Sequence, residues 1–149
     1  MASALSLCNN ILSRAHKEKI EVSPMKLQKL LYYICVKYVK ETGVSPVMER
    51  FEVWKYGPVV SSVYSVFKPF GSSPIKGYYR NVKGDVRVID EKNNSLIKYC
   101  IDYVWDNFKH TGAIDLAKRT HKRGSGWYSA FQKHHDTISI KEMEDDITI

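Results

Sequence analysis

The chain has 149 residues, 44% of them hydrophobic and 26% charged, the proportions of one ordinary globular domain and not of a disordered chain. No run approaches the roughly 20 apolar residues of a membrane span, and residues 1–6 lack the basic cluster and apolar stretch of a secretion signal, so a soluble, cytoplasmic protein is expected. The net charge is +7, but Lys141 against Glu142, Glu144, Asp145 and Asp146 leaves −3 on residues 141–149 and +10 on the rest, a basic body suited to an acidic protein or to nucleic acid.

The first element is an amphipathic helix over residues 3–17. Ala4, Leu7, Cys8, Ile11, Leu12 and Ala15 share one face, and Asn9, Asn10, Ser13, Arg14 and His16 the other. The second has the clearest signals: Ser23 as N-cap, Pro24 at the first position and Gly43 as the left-handed stop. Leu27, Leu30, Leu31, Ile34, Cys35 and Tyr38 form its apolar stripe. Lys26, Lys29, Tyr33 and Lys40 fall opposite, with Tyr32 and Val36 nearby. A basic and aromatic outward face suits a partner; tyrosines packed against neighbouring elements are the plainer reading.

Residues 51–54 alternate like a short strand, Tyr56-Gly57-Pro58 reverses the chain, and residues 59–68 form a short helix closed by Pro69 and Gly71. Residues 75–89, with Gly84-Asp85 in the middle, predict a β-hairpin that exposes Tyr78-Tyr79-Arg80. Asn93 or Asn94 caps a helix running to about His110, apolar almost all round and so expected at the centre of the domain. Shorter helical pieces follow over 113–121 and 127–134, and the acidic segment 139–149 adds a last turn or two. The reading is a single domain over residues 1–149, mainly α with a small β element (α+β), with a central buried helix and a short hairpin.

Enzyme signatures are missing: there is no GxGxxG, Walker loop, HExxH or GxSxG. Cys8, Cys35 and Cys100 lie on apolar helical stripes, where a free cysteine is a small core residue. His134 and His135 are adjacent and point about 100° apart on a helix, while His16 and His110 stand alone. His121 is expected to bond a backbone carbonyl. No catalytic residue, metal or cofactor is expected, and the function class is macromolecular binding.

Taken together, Ser-Pro-Met-Lys-Leu-Gln-Lys-Leu-Leu-Tyr-Tyr at 23–33, Trp-Lys-Tyr-Gly-Pro-Val-Val at 54–60 with Val63-Tyr64, and Leu116 followed by Thr120-His121 resemble the Panacea antitoxin domain family, also called SocA-like or phage-associated GepA-like. The order and spacing agree over nearly the whole chain. One departure stands out: the family follows its Thr-His with Pro-Trp, and this chain has Gly126-Trp127.

The resemblance implies a compact helical domain with a small β element. It implies the antitoxin of a bacterial or prophage toxin–antitoxin pair, acting on a cognate protein toxin encoded by an adjacent gene. Neutralisation is by direct contact, or by delivery of the toxin to a protease. A nucleic-acid-binding module or autoregulator is the alternative. Within the shared motifs, Trp54, Tyr56, Gly57, Pro58, Thr120, His121 and Trp127 read as structural, with Trp54 a core plug. Lys26, Gln28, Lys29 and Tyr33, together with Tyr78, Tyr79 and Arg80 on the hairpin, read as partner-binding candidates.

Overall fold

In the computed structural model, which describes residues 1–149, seven α-helices and one two-stranded antiparallel sheet make up the α+β fold that the periodicities imply. Helix α1 (Ala4–Glu18) starts where the Ser3 hydroxyl accepts the Ser6 N–H. Helix α2 (Pro24–Thr42) starts at Ser23, whose hydroxyl accepts the Lys26 N–H, and stops at Gly43 with φ +77°, the two signals read from sequence. Strands β1 (Glu52–Trp54) and β2 (Gly57–Val59) pair Glu52 with Val59 and Trp54 with Gly57. Then come α3 (Ser61–Phe67), a single 3-10 turn (Lys68–Phe70), α4 (Ser95–Phe108, capped by Asn94), α5 (Ala113–Thr120), α6 (Gly126–Gln132) and α7 (Ile140–Glu144).

The centre of the domain is α2, not the helix over 93–110. It packs against α1, α3, α4, α5, α7 and β2, and every residue from Lys26 to Val36 is buried. The expected outward face is therefore corrected: Lys26, Gln28, Lys29 and Tyr33 all point into the molecule. The apolar stripe of α2 meets α1 and α4. Its second face is covered by the hairpin, α5 and α7, and there the four side chains bond the hairpin backbone, the end of α4 and Thr148. Lys26 donates to the Lys109 carbonyl just past the end of α4, a helix terminus that favours a cation. Helix α4 is amphipathic, with Ile97, Ile101 and Val104 inside and Tyr99 and Tyr103 exposed beside Lys37, whose ammonium sits 4.1 Å from the Tyr103 ring. All three cysteines are buried thiols, and burial pushes that of Cys100 up to about 11, which leaves it unreactive.

Residues 75–89 form no strand, against the sequence reading. The turn is present, with the Asn81 N–H donating to Asp85 and the Gly84 N–H to Asn81, but no ladder follows it. Two asparagines of α1 take the place of a cross-strand partner. Asn9 accepts the Tyr79 N–H and donates to the carbonyls of Tyr79 and Arg87; Asn10 accepts the Ile89 N–H and donates to its carbonyl. Both asparagines are buried for this reason, although the helical pattern put them outside. Tyr78 is exposed against His16, Tyr79 is half-buried on the core, and Arg80 donates to the Gly84 carbonyl.

The acidic segment is part of the packed structure. Ser139 and Glu142 form a reciprocal capping box on α7, and the chain then runs under the tyrosines of α2. Asp146, fully buried, accepts the Tyr32 hydroxyl at 2.6 Å, the Gly126 N–H at 2.9 Å and both the N–H and hydroxyl of Thr148. Tyr33 shares a hydrogen bond with Thr148, whose carbonyl accepts from Arg119. Gly126, the departure noted in the sequence, has a physical reason: a Cβ there would lie 2.5 Å from the Tyr32 hydroxyl, and a proline would lack the N–H that Asp146 accepts. Asp146→Ala strands four buried donors and should cost about 3 kcal/mol or more. Urea unfolding at neutral pH reads this directly; a loss below about 1 kcal/mol would mean that the segment frays independently of the core.

Candidate functional site

The short hairpin carries the densest set of unusual contacts in the chain. Gly57 sits at φ +115°, and a Cβ there would come within 2.7 Å of Thr120 Oγ1 and 2.9 Å of Lys29 Cε, so only glycine fits. The outer edge of β2 faces α2 instead of a third strand. Gln28 closes it as a strand would: its Oε1 accepts the Val60 N–H at 3.0 Å and its Nε2 donates to the Val60 carbonyl at 3.1 Å. Lys29 Nζ donates to the Pro58 carbonyl at 3.1 Å. Buried backbone groups at a sheet edge must find partners, and these two side chains provide them.

The tip is held from the other side by α5 and α6. Trp127 Nε1 donates to the Trp54 carbonyl at 2.8 Å, and His121 Nε2 lies 2.7 Å from the Lys55 carbonyl. The other nitrogen of the His121 ring faces the Ala117 carbonyl, and the ring packs 4.1 Å from Trp127. The carbonyl contact expected for His121 is present, though it anchors the hairpin and not the loop that follows the residue. Gln28, Lys29, Thr120, His121 and Trp127 thus form one bracket around residues 54–60.

The bracket leaves the tip's side chains outside. Tyr56 is 58% exposed and Tyr64, across from it on α3, 40%. Between the hairpin, α3 and the start of α2 runs a groove of about 360 Å³, walled by Met25, Trp54, Tyr56, Tyr64 and Phe67, with Gln28 and Lys29 on its floor. A more open depression continues past Met25 and Tyr56 onto α5, between Ile114, Lys118 and Lys122. The Trp54 and Tyr64 rings meet edge-on, 4.8 Å apart. Trp54 is therefore a wall of this groove, partly exposed, and not the core plug expected from sequence.

Tyr78 and Tyr79 lie against α1, Arg80 turns back to the Gly84 carbonyl, and none of the three lines either depression. Met25, Lys55, Tyr64 and Phe67 were not among the sequence candidates. The signal for Tyr64 was available, since Val63 faces the core one residue before it and Tyr64 must then face out. No three His, Cys, Asp or Glu side chains come together as a metal site, and no helix is long and apolar enough to cross a membrane.

A family profile described as antitoxin SocA-like, Panacea domain, matches residues 27–128. Antitoxin SocA of Caulobacter vibrioides (strain NA1000 / CB15N) is 29% identical over 129 residues, which is 83% of this chain and 68% of that protein. No solved structure matches the chain. The matched region includes the hairpin, Gln28, Lys29, Thr120, His121 and Trp127, and stops before the acidic segment.

Burial lowers the Lys29 ammonium to about 7. An unfolded lysine titrates at about 10.4, so above about pH 7 the unfolded chain binds more protons at this position and stability rises with pH. The rise is cleanest between about pH 7 and pH 8, before thiols exposed by unfolding ionise and oppose it. We expect the wild-type protein to gain on the order of 1 kcal/mol across that interval. In Lys29→Met the gain should shrink to the smaller part left by Lys26, whose ammonium burial also lowers. Equal slopes in urea melts of the two proteins would contradict the buried ammonium.

Proposed function

The chain belongs to the SocA-like Panacea antitoxin family, and on that premise we propose that it silences a protein toxin by direct contact through the groove beside the hairpin tip. Family membership supports an antitoxin role in a toxin–antitoxin system. The finer reading adds the mode and the place. The toxin, encoded by an adjacent gene, is masked by a docked surface, and the antitoxin acts as a regulator and not as a catalyst.

One observation carries this reading: buried and half-buried side chains of the family-matched region converge on the backbone of residues 54–60 and leave the Tyr56 ring in solvent. A structure-only motif would turn its large aromatic side chains inward. Exposed tyrosines around an apolar groove are the usual anchors of a protein interface, and a lysine rim speeds encounter with an acidic partner. Trp54, Tyr56 and Tyr64 therefore replace Lys26, Gln28, Lys29 and Tyr33 as the proposed contact residues; Gln28 and Lys29 position the hairpin, while Lys26 bonds the end of α4 and Tyr33 bonds Thr148.

The test is co-expression with the toxin from the adjacent reading frame, read as growth. Tyr56→Ala combined with Tyr64→Ala should abolish rescue while the thermal midpoint moves by only a few degrees, since exposed substitutions cost little. Full rescue by the folded double variant would move the interface elsewhere. Rescue by the wild-type protein that persists in a host lacking its ATP-dependent proteases distinguishes masking from delivery for degradation.

A further inference from the structure

The chemistry of the groove also says what fills it. Resting on the docking reading above, we propose that the occupant is a short acidic segment of the partner protein, with one large apolar side chain seated in the groove and carboxylates flanking it.

The apolar part follows from the walls. Met25, Trp54, Tyr56, Tyr64 and Phe67 enclose a volume at the lower end of the range for binding pockets, enough for an anchoring side chain and too little for a cofactor. The acidic part follows from charge. Exposed lysines line both depressions, Lys55 in the groove and Lys118 and Lys122 in its continuation, while Lys29 on the floor is buried and committed to the Pro58 carbonyl, and no carboxylate lines either. Lys68 adds a further cation beside the Tyr64 ring. Lys55, Lys68, Lys118 and Lys122 take part in none of the chain's ion pairs. Glu52, whose carboxylate accepts the Trp54 indole N–H at 3.1 Å, keeps its charge, but it is one carboxylate beside the four lysines Lys55, Lys68, Lys118 and Lys122. An apolar groove whose rim carries more cations than carboxylates complements an anchor flanked by acids.

Two other occupants fit less well. The chain's own acidic segment is committed elsewhere, with Asp146 and Thr148 bonded to Tyr32 and Tyr33. Single-stranded nucleic acid binds on open aromatic faces along a basic track. Here Trp54 and Tyr64 turn towards each other edge-on and wall an apolar groove.

The proposal is tested by panning a phage-displayed library of random short peptides on the immobilised wild-type protein. Enriched sequences should place acidic residues beside a Trp, Phe, Leu, Ile or Met. A synthetic peptide of the consensus should lose about tenfold or more in affinity for the Lys55→Glu, Lys68→Glu variant and weaken as salt rises. Neutral or basic consensus peptides, no enrichment, unchanged affinity for the charge-reversed protein, or displacement of the peptide by a single-stranded DNA oligonucleotide would each overturn it. Growth rescue separates this inference from the reading beneath it. If the tyrosine variant fails to rescue while the charge-reversed variant succeeds, the groove still docks the toxin and the acidic occupant is wrong. If the tyrosine variant rescues, the docking reading itself falls.

Discussion

Two side chains of a buried helix close the edge of a two-stranded sheet, and the arrangement of the candidate site follows from that. A sheet of two short strands has little stability of its own, and its outer edge carries backbone groups that cannot be left unpaired away from water. Gln28 meets both groups of Val60 and Lys29 meets the Pro58 carbonyl. With that edge sealed on α2 and the other face tied to His121 and Trp127, the hairpin becomes a rigid support, and the side chains it turns outward become a surface of fixed shape. Burying a lysine is costly, which is why its ammonium is driven towards neutrality.

The same device recurs around the molecule. Asn9 and Asn10 satisfy the backbone of residues 79–89, Lys26 caps the end of α4, and Asp146 gathers the hydroxyls and N–H groups beneath α2. Polar side chains on helices do here what further strands would do in a larger sheet. This accounts for a domain in which several polar and charged residues are almost fully buried and no buried side-chain polar atom lacks a partner.

That device also decides what could be read from the amino-acid sequence. Helix starts and stops depend on local capping chemistry, so Ser3, Ser23, Gly43, Asn94 and Ser139 mark real boundaries. The class of the fold and the family were legible for a related reason: periodicity and motif spacing survive without any knowledge of tertiary contacts. The second face of α2 was not legible. A polar pattern on a helix is the same whether water or a neighbour's backbone lies opposite, so Lys26, Gln28, Lys29, Asn9 and Asn10 were placed outside. The missing ladder over 75–89 is the complement of that error, because the groups that should have paired across strands were taken by the misplaced asparagines. Trp54 and Tyr56 were read as scaffold because motif residues and core residues look alike until burial is known.

The claim that α2 holds the hairpin is tested most directly by amide hydrogen exchange at Val60. In the wild-type protein the Val60 N–H, bonded to Gln28, should exchange only with the large openings that also release the cores of α1 and α4. Gln28→Met keeps a side chain of similar length but removes the acceptor, at a cost of about 1–3 kcal/mol for the stranded N–H. The account predicts that Val60 protection then collapses to a local opening while the α1 and α4 amides stay slow. Unchanged protection at Val60 in the folded variant would show that the hairpin stands without this helix.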